Sequence, residues 1–555
     1  MKRIIIILCL GLCGIVRGFA GPAQKVAYPG DWVYDALTAL SLEQGRIFFT
    51  NSSLTYAQIE LMLAEIDEAS LSQSGLALYD QIYAYLNESS FLSFQSDIID
   101  INVDTALQPE LYFKTNETFD WEYKHGDRLR FFTLPADISV SSYLMLQSDL
   151  YIGENRRLSK VHDNYFNFPF DKHIDGVESF DTDFPKRAYL SAGLPLGKYS
   201  GINLRIGVGD NTYGRTKTGS IIISDTMKGI NYAQLSLYSP WIKYTTEIME
   251  LEVNKYLYLH YFQMRLFNRL SLGIVEGVMV NAPFELRYLN PMMIFHGFTA
   301  WSDYGKYNEE TGQEGLKSGD SRVGSYGGVI LDWSPWKYFR IYGLFGMTEF
   351  QGPGEVGSDS TGPNAFAFQL GSETYIPVSS GHWRFGLEGV YTYPYMYILG
   401  HKNWSFYREA NETSNPWSRD WVGNPFGPDS IVGTIWAGYQ DTRLWAVSLS
   451  FLFAAQGENS ETAVFDLPDN EYYANTPEEN ASVTPTGIPA YTYLINLNGK
   501  WSASSWLHFT LRTSYKIIYN FEHIQERLEQ GFEISFSIQF TPKGLWSWKA
   551  PQPIR

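Results

Sequence analysis

Alternation of apolar and polar residues dominates the chain from about residue 108 to Phe540. The last segment is the clearest, because large apolar residues from Phe532 to Phe540 alternate with glutamate, serine and glutamine. The segments Trp445 to Phe453 and Trp383 to Glu388 repeat this pattern. A period of two is that of a β-strand. Since the intervening residues are small, polar or charged, we expect one face of each strand to meet lipid and the other a wet lumen.

The connections between these segments alternate between short and long. Short ones recur at Gly197–Gly201, Ser239–Pro240, Asn268–Arg269, Ser334–Pro335, Ser379–His382, Gln440–Arg443 and Ser502–Ser505. Long polar ones lie at Glu154–Lys186, Asp210–Gly229, Pro283–Arg322, Gln351–Asn364, Gly400–Ser430 and Gln456–Ala490. A meander of strands has this alternation when one rim carries tight turns and the other carries surface loops.

This scheme predicts about 18 strands, counted from about Glu110, with the C-terminus on the rim of short turns. One connection, Glu252 to Lys255, is short where the scheme expects a long one. A soluble sandwich of two sheets would share the period of two. Closing so large a sheet removes its edges, which favours a barrel. The predicted fold class is therefore mainly β, a large antiparallel transmembrane β-barrel with a small N-terminal α-helical periplasmic subdomain.

A helical period precedes the alternation, between Asp31 and about Asn87. Thr55 and Gln58 have the spacing of a capping box at a helix start. Apolar residues recur at helical spacing in three places, at Ala36, Leu37 and Leu40, at Ile59, Met62, Leu63 and Ile66, and at Leu78, Ile82, Tyr85 and Leu86. Because three short amphipathic helices cannot bury these stripes alone, we expect them to pack on themselves or on something larger.

The first residues have the pattern of a secretory signal peptide. Basic Lys2 and Arg3 precede an apolar run from Ile4 to Val16, and small residues follow up to Ala20. The alternative is a membrane anchor, but the run is shorter than the roughly 20 residues that a spanning helix needs. The predicted organisation is residues 1–20 as signal peptide, 21–95 as helical periplasmic subdomain, 96–541 as barrel and 542–555 as C-terminal extension.

Composition narrows the class of protein further. Cys9 and Cys13 both lie inside the signal, so the mature chain offers no disulfide or thiolate site. The formal net charge of −18, or −21 without the signal, argues against nucleic acid as a partner. Aromatic residues make up 16% of the chain, and mean hydropathy is −0.21. Such aromatic loading suits a barrel with two interfacial girdles, although a soluble β-rich protein could share it.

Several segments of the predicted barrel carry a resemblance to a known family through their order along the chain. They are Arg205–Gly209 with Tyr213–Gly214, Gly219–Ser224, His260–Leu272, Gly273–Glu276, Tyr288–Pro291, Phe368–Gly371, Trp383–Glu388, Tyr393–Tyr397 with His401, and Gly427–Ser430. In this order they resemble the Wzi-like capsule assembly proteins of the outer membrane. The helical segment Trp32–Gly45 is also similar. The resemblance implies an 18-stranded barrel with a periplasmic helical portion that acts as a lectin for capsular or exopolysaccharide. The chain departs from the family in the inserts Tyr165–Lys186 and Asp466–Pro489, and in about 15 residues after Phe540.

Sites that bind sugars combine flat aromatic rings with polar or charged groups. Two long loops have this composition. We predict glycan contacts at Trp404, Tyr407, Arg408, Trp417, Arg419 and Trp421, and at Trp301 and Tyr304. The alternative is that these rings belong to an interfacial girdle or pack within the loops.

Charged residues on the predicted strands are Glu276, Arg384 and Glu388, and we expect them to brace the lumen in ion pairs. Paired carboxylates could instead serve glycoside chemistry if their separation suited it. Gly207 and Gly209 precede no helical pattern, so a dinucleotide site is a poor interpretation. The nine histidines show no metal-ligand spacing, and we predict no metal, cofactor or catalytic residue.

The leading hypothesis is a non-enzymatic barrel of the cell outer membrane that binds capsular or exopolysaccharide and helps attach it to the cell surface. Its expected partners are outer-membrane lipid, surface polysaccharide and, during insertion, the barrel-assembly machinery. The alternative is a porin-like channel, since a barrel of this size can leave an aqueous path unless loops or helices fill it. An outer-membrane hydrolase is a third hypothesis.

Overall fold

A computed structural model describes residues 22–119, 121, 123, 128–152, 166–167, 187–292, 294–295, 323–350, 364–398, 405–412, 415–442, 444–458 and 483–549. The predicted fold class is confirmed: the strands close into one antiparallel barrel of 18 strands. None of the helices in these ranges is long and apolar enough to cross a membrane.

The N-terminal residues form a small helical unit before the barrel. In chain order its elements are β1 (Val26–Ala27), α1 (Trp32–Glu43), β2 (Leu54–Thr55), α2 (Tyr56–Leu63), a 3₁₀ turn (Glu68–Ser70) and α3 (Gln73–Leu86). Thr55 accepts from the backbone N–H of Gln58, and the Gln58 side chain accepts from that of Thr55. All three predicted helices and the capping box are confirmed. The apolar stripe of α2 continues past its end at Leu63 to the buried Ile66.

The first barrel strand begins earlier than predicted and is broken into three pieces. They are β4 (Ile99–Val103), β5 (Ala106–Leu107) and β6 (Glu110–Lys114), and β3 (Leu92–Gln95) forms a hairpin with β4. Pro109 lies in the last break, because proline has no N–H to donate to a ladder. The pieces pair with β7 on one side and β25 on the other, which closes the barrel.

The other barrel strands follow in chain order and pair with their sequence neighbours. They are β7 (Phe132–Val140), β8 (Leu144–Ile152), β9 (Ala188–Pro195), β10 (Gly201–Gly209), β11 (Ile230–Tyr238), β12 (Ile242–Glu252), β13 (Lys255–Leu266), β14 (Leu270–Asn281), β15 (Val323–Trp333), β16 (Phe339–Glu349), β17 (Ala365–Val378), β18 (Gly381–Thr392), β21 (Ser430–Asp441), β22 (Trp445–Gln456), β23 (Ala490–Ser504), β24 (Leu507–Tyr519) and β25 (Leu528–Phe540). A separate hairpin, β19 (Tyr407–Glu412) and β20 (Asn415–Trp421), lies between β18 and β21. Short 3₁₀ turns lie at Leu286–Leu289 and Phe521–His523.

The C-terminal extension returns to the start of the barrel. Its strand β26 (Trp546–Lys549) pairs in parallel with β3, and the Trp548 ring stacks on Phe94 with 4.5 Å between ring centroids. The C-terminal extension therefore lies beside the hairpin of β3 and β4 with which the barrel begins.

The alternation has the predicted consequence for the outer face. On β18, Trp383, Phe385 and Leu387 are all more than 40% exposed and point outward, whereas Glu388 is buried inside. The rim that carries the tight turns, such as the one between β13 and β14, is the short-turn rim below, and the opposite rim is the long-loop rim. The tight turn between β12 and β13 at residues 253–254 interrupts the long-loop rim, as the sequence indicated.

Candidate functional site

The helical unit, residues 22–88, lies across the short-turn rim and is called the plug unit below. The backbone N–H of Ile47 donates to the carbonyl of Asn268, in the turn between β13 and β14, at 2.8 Å. The N–H of Tyr338, in the turn between β15 and β16, donates to the carbonyl of Leu42 at 2.7 Å. The plug unit is therefore bonded directly to the barrel turns.

Polar groups of the plug unit also reach the lumen wall. The Lys243 ammonium on β12 donates to Ser52 Oγ at 2.8 Å, and Arg205 Nη1 on β10 donates to Ser53 Oγ at 2.8 Å. Both cations are almost fully buried. Because buried charges need hydrogen-bond partners, these contacts fix the plug unit inside the wall.

A loop enters the barrel from the opposite rim. This inward loop, residues 210–229, joins β10 to β11, and its Ile221–Ile223 are fully buried. The carboxylate of Glu388 on β18 accepts from the backbone N–H groups of Lys217 at 2.7 Å and Thr218 at 2.9 Å. A charged acceptor on two backbone donors is among the stronger hydrogen-bond arrangements, so Glu388 holds the loop in place.

The plug unit and the inward loop meet in the lumen at Asn51. Its carbonyl accepts from the N–H of Gly214 at 3.1 Å, its Oδ1 accepts from the N–H of Arg215 at 3.0 Å, and its Nδ2 donates to Asp332 at 3.3 Å. Gly214 has φ of +98°, and a Cβ there would lie 2.5 Å from Leu344. The junction therefore requires glycine at this position.

An ion network surrounds this junction. Arg384 bridges Asp35 of α1 at 2.6 Å and Glu373 of β17 at 3.2 Å. Glu373 also lies 3.6 Å from Arg340, and the Arg215 guanidinium pairs with Asp35 from the inward loop. One carboxylate of the plug unit thus pairs with both the wall and the inward loop.

Asp35, Arg215 and Lys217 lie outside the strands, and their pKa shifts show how strongly the ion network and burial act on them. Burial alone would raise the pKa of Asp35, but the cations of Arg384 and Arg215 outweigh it and hold that pKa well below its ordinary value. For Arg215, burial lowers the pKa but Asp35 more than compensates and raises it. Burial, together with Arg384, lowers the pKa of Lys217. The network keeps Asp35 and Arg215 ionised.

The half of the lumen next to the long-loop rim is packed with apolar side chains rather than wet. The inward loop packs there against strand residues and against the segments before β19 and after β20. Fully or almost fully buried members of this core are Ile221, Ile222, Ile223, Met279, Tyr326, Met396, Tyr397, Phe406 and Val422. The expectation of a uniformly wet lumen is therefore wrong for this half of the barrel.

The described aromatic residues of the predicted glycan cluster belong to this core. Tyr407 is 2% exposed and Trp421 is 8% exposed, with ring centroids 5.0 Å apart. Arg408 pairs with Asp420 at 2.5 Å and donates to the carbonyl of Lys228 at 2.9 Å. Arg408 thus fastens the hairpin of β19 and β20 to the inward loop, and the buried rings of Tyr407 and Trp421 present no open face to a sugar.

The remaining members of the predicted glycan sites cannot be placed in the same way. Trp404, Trp301 and Tyr304 lie outside the described residues, and the side chains of Trp417 and Arg419 on β20 lie outside what the structure describes. Their role in sugar binding stays a prediction.

The predicted lumen charges divide between the two faces of the wall. Arg384 and Glu388 lie on the inner face, where Arg384 forms ion pairs and Glu388 accepts hydrogen bonds from the inward loop. Glu276 lies on the outer face with Ile274, which is 50% exposed, whereas Val275 between them is buried in the lumen core. The prediction that Glu276 lines the lumen is therefore wrong.

A covering segment explains why a carboxylate is tolerated there. Glu276 pairs in register with His260, and Phe295 stacks on the His260 ring with 4.3 Å between centroids. Tyr288 of the same segment stacks on Tyr258 at 4.8 Å. The chain after β14 thus folds back over the outer wall and covers this polar position.

Sequence reasoning missed most of the ion network. Asp332, Arg340 and Glu373 occupy positions on the inward face of their strands, where a charge interrupts runs of apolar and small residues. That signal was available in principle. Asp35 and Arg215 gave no such signal in the sequence, because their partners lie far away along the chain.

Comparison with known proteins gives a likeness of fold. No family model matches the sequence, and no curated protein matches it. Among solved structures, it is similar to Wzi of Escherichia coli, described as a carbohydrate-binding outer-membrane β-barrel involved in capsule assembly, with 11% identity, a TM-score of 0.56 and coverage of 93% of this chain and 99% of that one.

Weaker likenesses are to OprD of Pseudomonas aeruginosa and OmpT of Vibrio cholerae. OprD has 10% identity, a TM-score of 0.41 and coverage of 80% of this chain and 95% of that one. OmpT has 9% identity, a TM-score of 0.32 and coverage of 81% and 99%. The resemblance to Wzi-like proteins indicated by the sequence is confirmed at the level of the fold by the likeness to Wzi: the chain is a closed antiparallel barrel of 18 strands.

Proposed function

We propose that this chain is a non-enzymatic barrel that binds capsular or exopolysaccharide and helps hold it at the cell surface. The observation that carries the proposal is the filling of the lumen from both rims, by the plug unit and by the inward loop. A lumen filled in this way does not let solutes pass, so the long-loop rim is the surface at which the protein acts. The likeness in fold to a barrel described as carbohydrate-binding supports the same interpretation.

The orientation forms part of the proposal. Residues 1–20 act as the export signal, the short-turn rim with the plug unit faces the periplasm, and the long-loop rim faces the exterior. This arrangement follows the ordinary placement of short turns and long loops in outer-membrane barrels. The barrel-assembly machinery would insert the chain.

The buried carboxylates support a structural rather than a catalytic role. Asp332 receives two hydrogen bonds from Arg340, at 2.6 and 2.7 Å, and Glu373 lies between Arg340 and Arg384. Because guanidinium groups occupy the oxygens of these carboxylates, the carboxylates are not open to a substrate, which argues against a role as general acid. We therefore favour binding over glycoside hydrolysis.

A capture experiment tests the proposal. The purified full-length barrel in detergent is presented to an array of bacterial surface polysaccharides, with Trp417→Ala as the test variant. Trp501→Ala is the matched control, because Trp501 is a 51% exposed indole on the outer wall. We expect wild type and the control to retain at least one polysaccharide and Trp417→Ala to retain less of it.

Two results would contradict the proposal. The first is the absence of any polysaccharide retained by the wild type. The second is a steady, large current when the wild type is reconstituted in planar bilayers, which would favour the porin-like channel instead.

A further inference from the structure

The lumen-facing residues of β21 to β24 change from buried to solvent-exposed about halfway along the barrel. Toward the long-loop rim they are buried, as for Val432, Leu452 and Leu494. Toward the short-turn rim, Asn498, Lys500 and Arg512 are exposed to solvent. The contacts of the plug unit given above are with other strands, β10 and β12 to β18. This side of the lumen is therefore accessible to solvent beneath the apolar core, and it is called the vestibule below.

The wall of the vestibule is a compact polar patch. Register places its lumen-facing side chains in rows across β21, β22, β23 and β24, the first with Trp436, Ser450, Asn496 and Ser514, and the next with Gly438, Ser448, Asn498 and Arg512. Neighbouring strands lie about 4.8 Å apart, so each row spans roughly 15 Å. That length matches a short oligosaccharide lying across the strands.

The patch is cationic in an acidic protein. Lumen-facing positions on these four strands, all described, carry Lys500, Arg512 and Lys516 but no aspartate or glutamate, although the whole chain has a net charge of −18. The next strand, β25, carries the lumen-facing Glu533 opposite Ser514. Lys500 and Arg512 are diagonal neighbours in the register, since Lys500 pairs with Thr510 and Asn498 with Arg512. Two like charges on one wall attract an anion between them.

Two buried polar atoms of this wall lack a hydrogen-bond partner among the described residues. Within the described residues, Trp436 Nε1 and Asn496 Oδ1 are buried without a hydrogen-bond partner. Arg512 lies over the ring of Tyr123, at 4.5 Å from its centroid, and forms no ion pair with a described carboxylate. Buried polar groups in native proteins are normally satisfied, so unpaired polar atoms beside Lys500 and Arg512 indicate a ligand site.

We propose that this vestibule binds an acidic oligosaccharide, of the uronate class, that enters from the short-turn rim. Lys500 and Arg512 hold the sugar carboxylates, with Arg512 suited to bidentate contact. Asn498, Ser448 and Ser450 meet the hydroxyl groups, since carboxamides and hydroxyls can both donate and accept. The inference rests on the proposed function and extends it, because it names an acidic sugar and a second site on the opposite rim from the surface loops.

Calorimetric titration of the full-length protein in detergent tests the proposal. The probe is a galacturonic acid oligosaccharide of four to six sugars, and a malto-oligosaccharide of equal length is the neutral comparison. The test variant is Lys500→Gln with Arg512→Gln. The matched control is Lys198→Gln with Lys337→Gln, which removes two exposed positive charges from turns on the same rim.

We expect the wild type and the control to bind the acidic probe alike, and the test variant to bind it at least about tenfold more weakly, as the loss of charge-assisted hydrogen bonds predicts. Lys500→Arg with Arg512→Lys, which keeps both charges, should retain most of the affinity. Heat-modifiable migration on gels shows that each variant is a folded barrel.

Equal affinity of wild type and test variant for the acidic probe would overturn the proposal, as would equal affinity of the wild type for both probes or binding of neither. These results are separable from failure of the proposed function. If surface polysaccharide is captured but the acidic probe binds wild type and test variant equally, the surface function stands and the vestibule site is contradicted. If the array captures no polysaccharide while the acidic probe binds through Lys500 and Arg512, the vestibule site stands and the proposed surface function is contradicted.

Discussion

Asp35 shows how a single side chain couples the parts of this protein. It belongs to α1 of the plug unit, yet its carboxylate pairs with Arg384 of the wall and with Arg215 of the inward loop. Its side chain is 39% exposed, so solvent screens these pairs in part. Their value is specificity of docking as well as energy, because each partner comes from a different part of the fold.

We predict that Asp35→Asn weakens docking of the plug unit by about 1 kcal/mol at neutral pH, because two guanidinium groups lose their anion. The folded-state pKa of Asp35 lies below the ordinary value near 3.9, so its contribution is present above about pH 4 and is lost as the pH falls through the folded pKa. Melting temperatures of wild type and variant should differ at pH 7, and the difference should be smaller at pH 2.

The exposed Asp67 of the plug unit provides the control, since Asp67→Asn should leave the melting temperature unchanged at both pH values. A difference between wild type and Asp35→Asn that grows in acid would contradict the assignment.

At the scale of elements, local patterns and long-range contacts play different parts. The capping box of Thr55 and Gln58 starts α2 as predicted, because it needs only residues three apart. The inward loop looks in sequence like any long polar loop, yet it carries Ile221–Ile223 into the core. Its polar backbone is tolerated there because groups such as Glu388 accept from it.

We predict that Glu388→Ala loosens the inward loop without unfolding the barrel. Two backbone N–H groups lose a charged acceptor, which costs about 1–3 kcal/mol of local stability. Hydrogen exchange of peptides from residues 210–229 should therefore accelerate by about ten- to a hundredfold. Glu533→Ala is the control, because Glu533 accepts from Tyr112 elsewhere on the wall and its loss should leave exchange in these peptides unchanged.

At the scale of the whole molecule, charged groups hold the inward loop from two sides. Arg215 pairs with Asp35 of the plug unit, and two residues further on the loop backbone donates to Glu388 of the wall. Either contact should restrain the loop when the other is lost. Such redundancy would suit the proposed function, in which the lumen stays closed.

We predict that Asp35→Ala with Glu388→Ala produces intermittent current in planar bilayers, whereas the wild type and each single variant stay closed for most of the time. The two changes should be non-additive, because both act on residues 215–218. Glu533→Ala with Asp67→Ala is the control and should stay closed. A double variant as silent as the wild type would show that other contacts hold the lumen shut.

Local patterns along the chain were enough to predict the barrel, its number of about 18 strands, the rims of short and long connections and the three N-terminal helices. These features depend on periods of 2 and 3.6 residues and on connection lengths, which can be read locally. The three-dimensional arrangement was needed to show what fills the lumen, that Tyr407 and Trp421 are packed rather than open, and that Glu276 lies outside beneath a covering segment. The reason is that an alternating strand reveals two faces but not what covers either one, and the covering segments come from residues tens to hundreds of positions away.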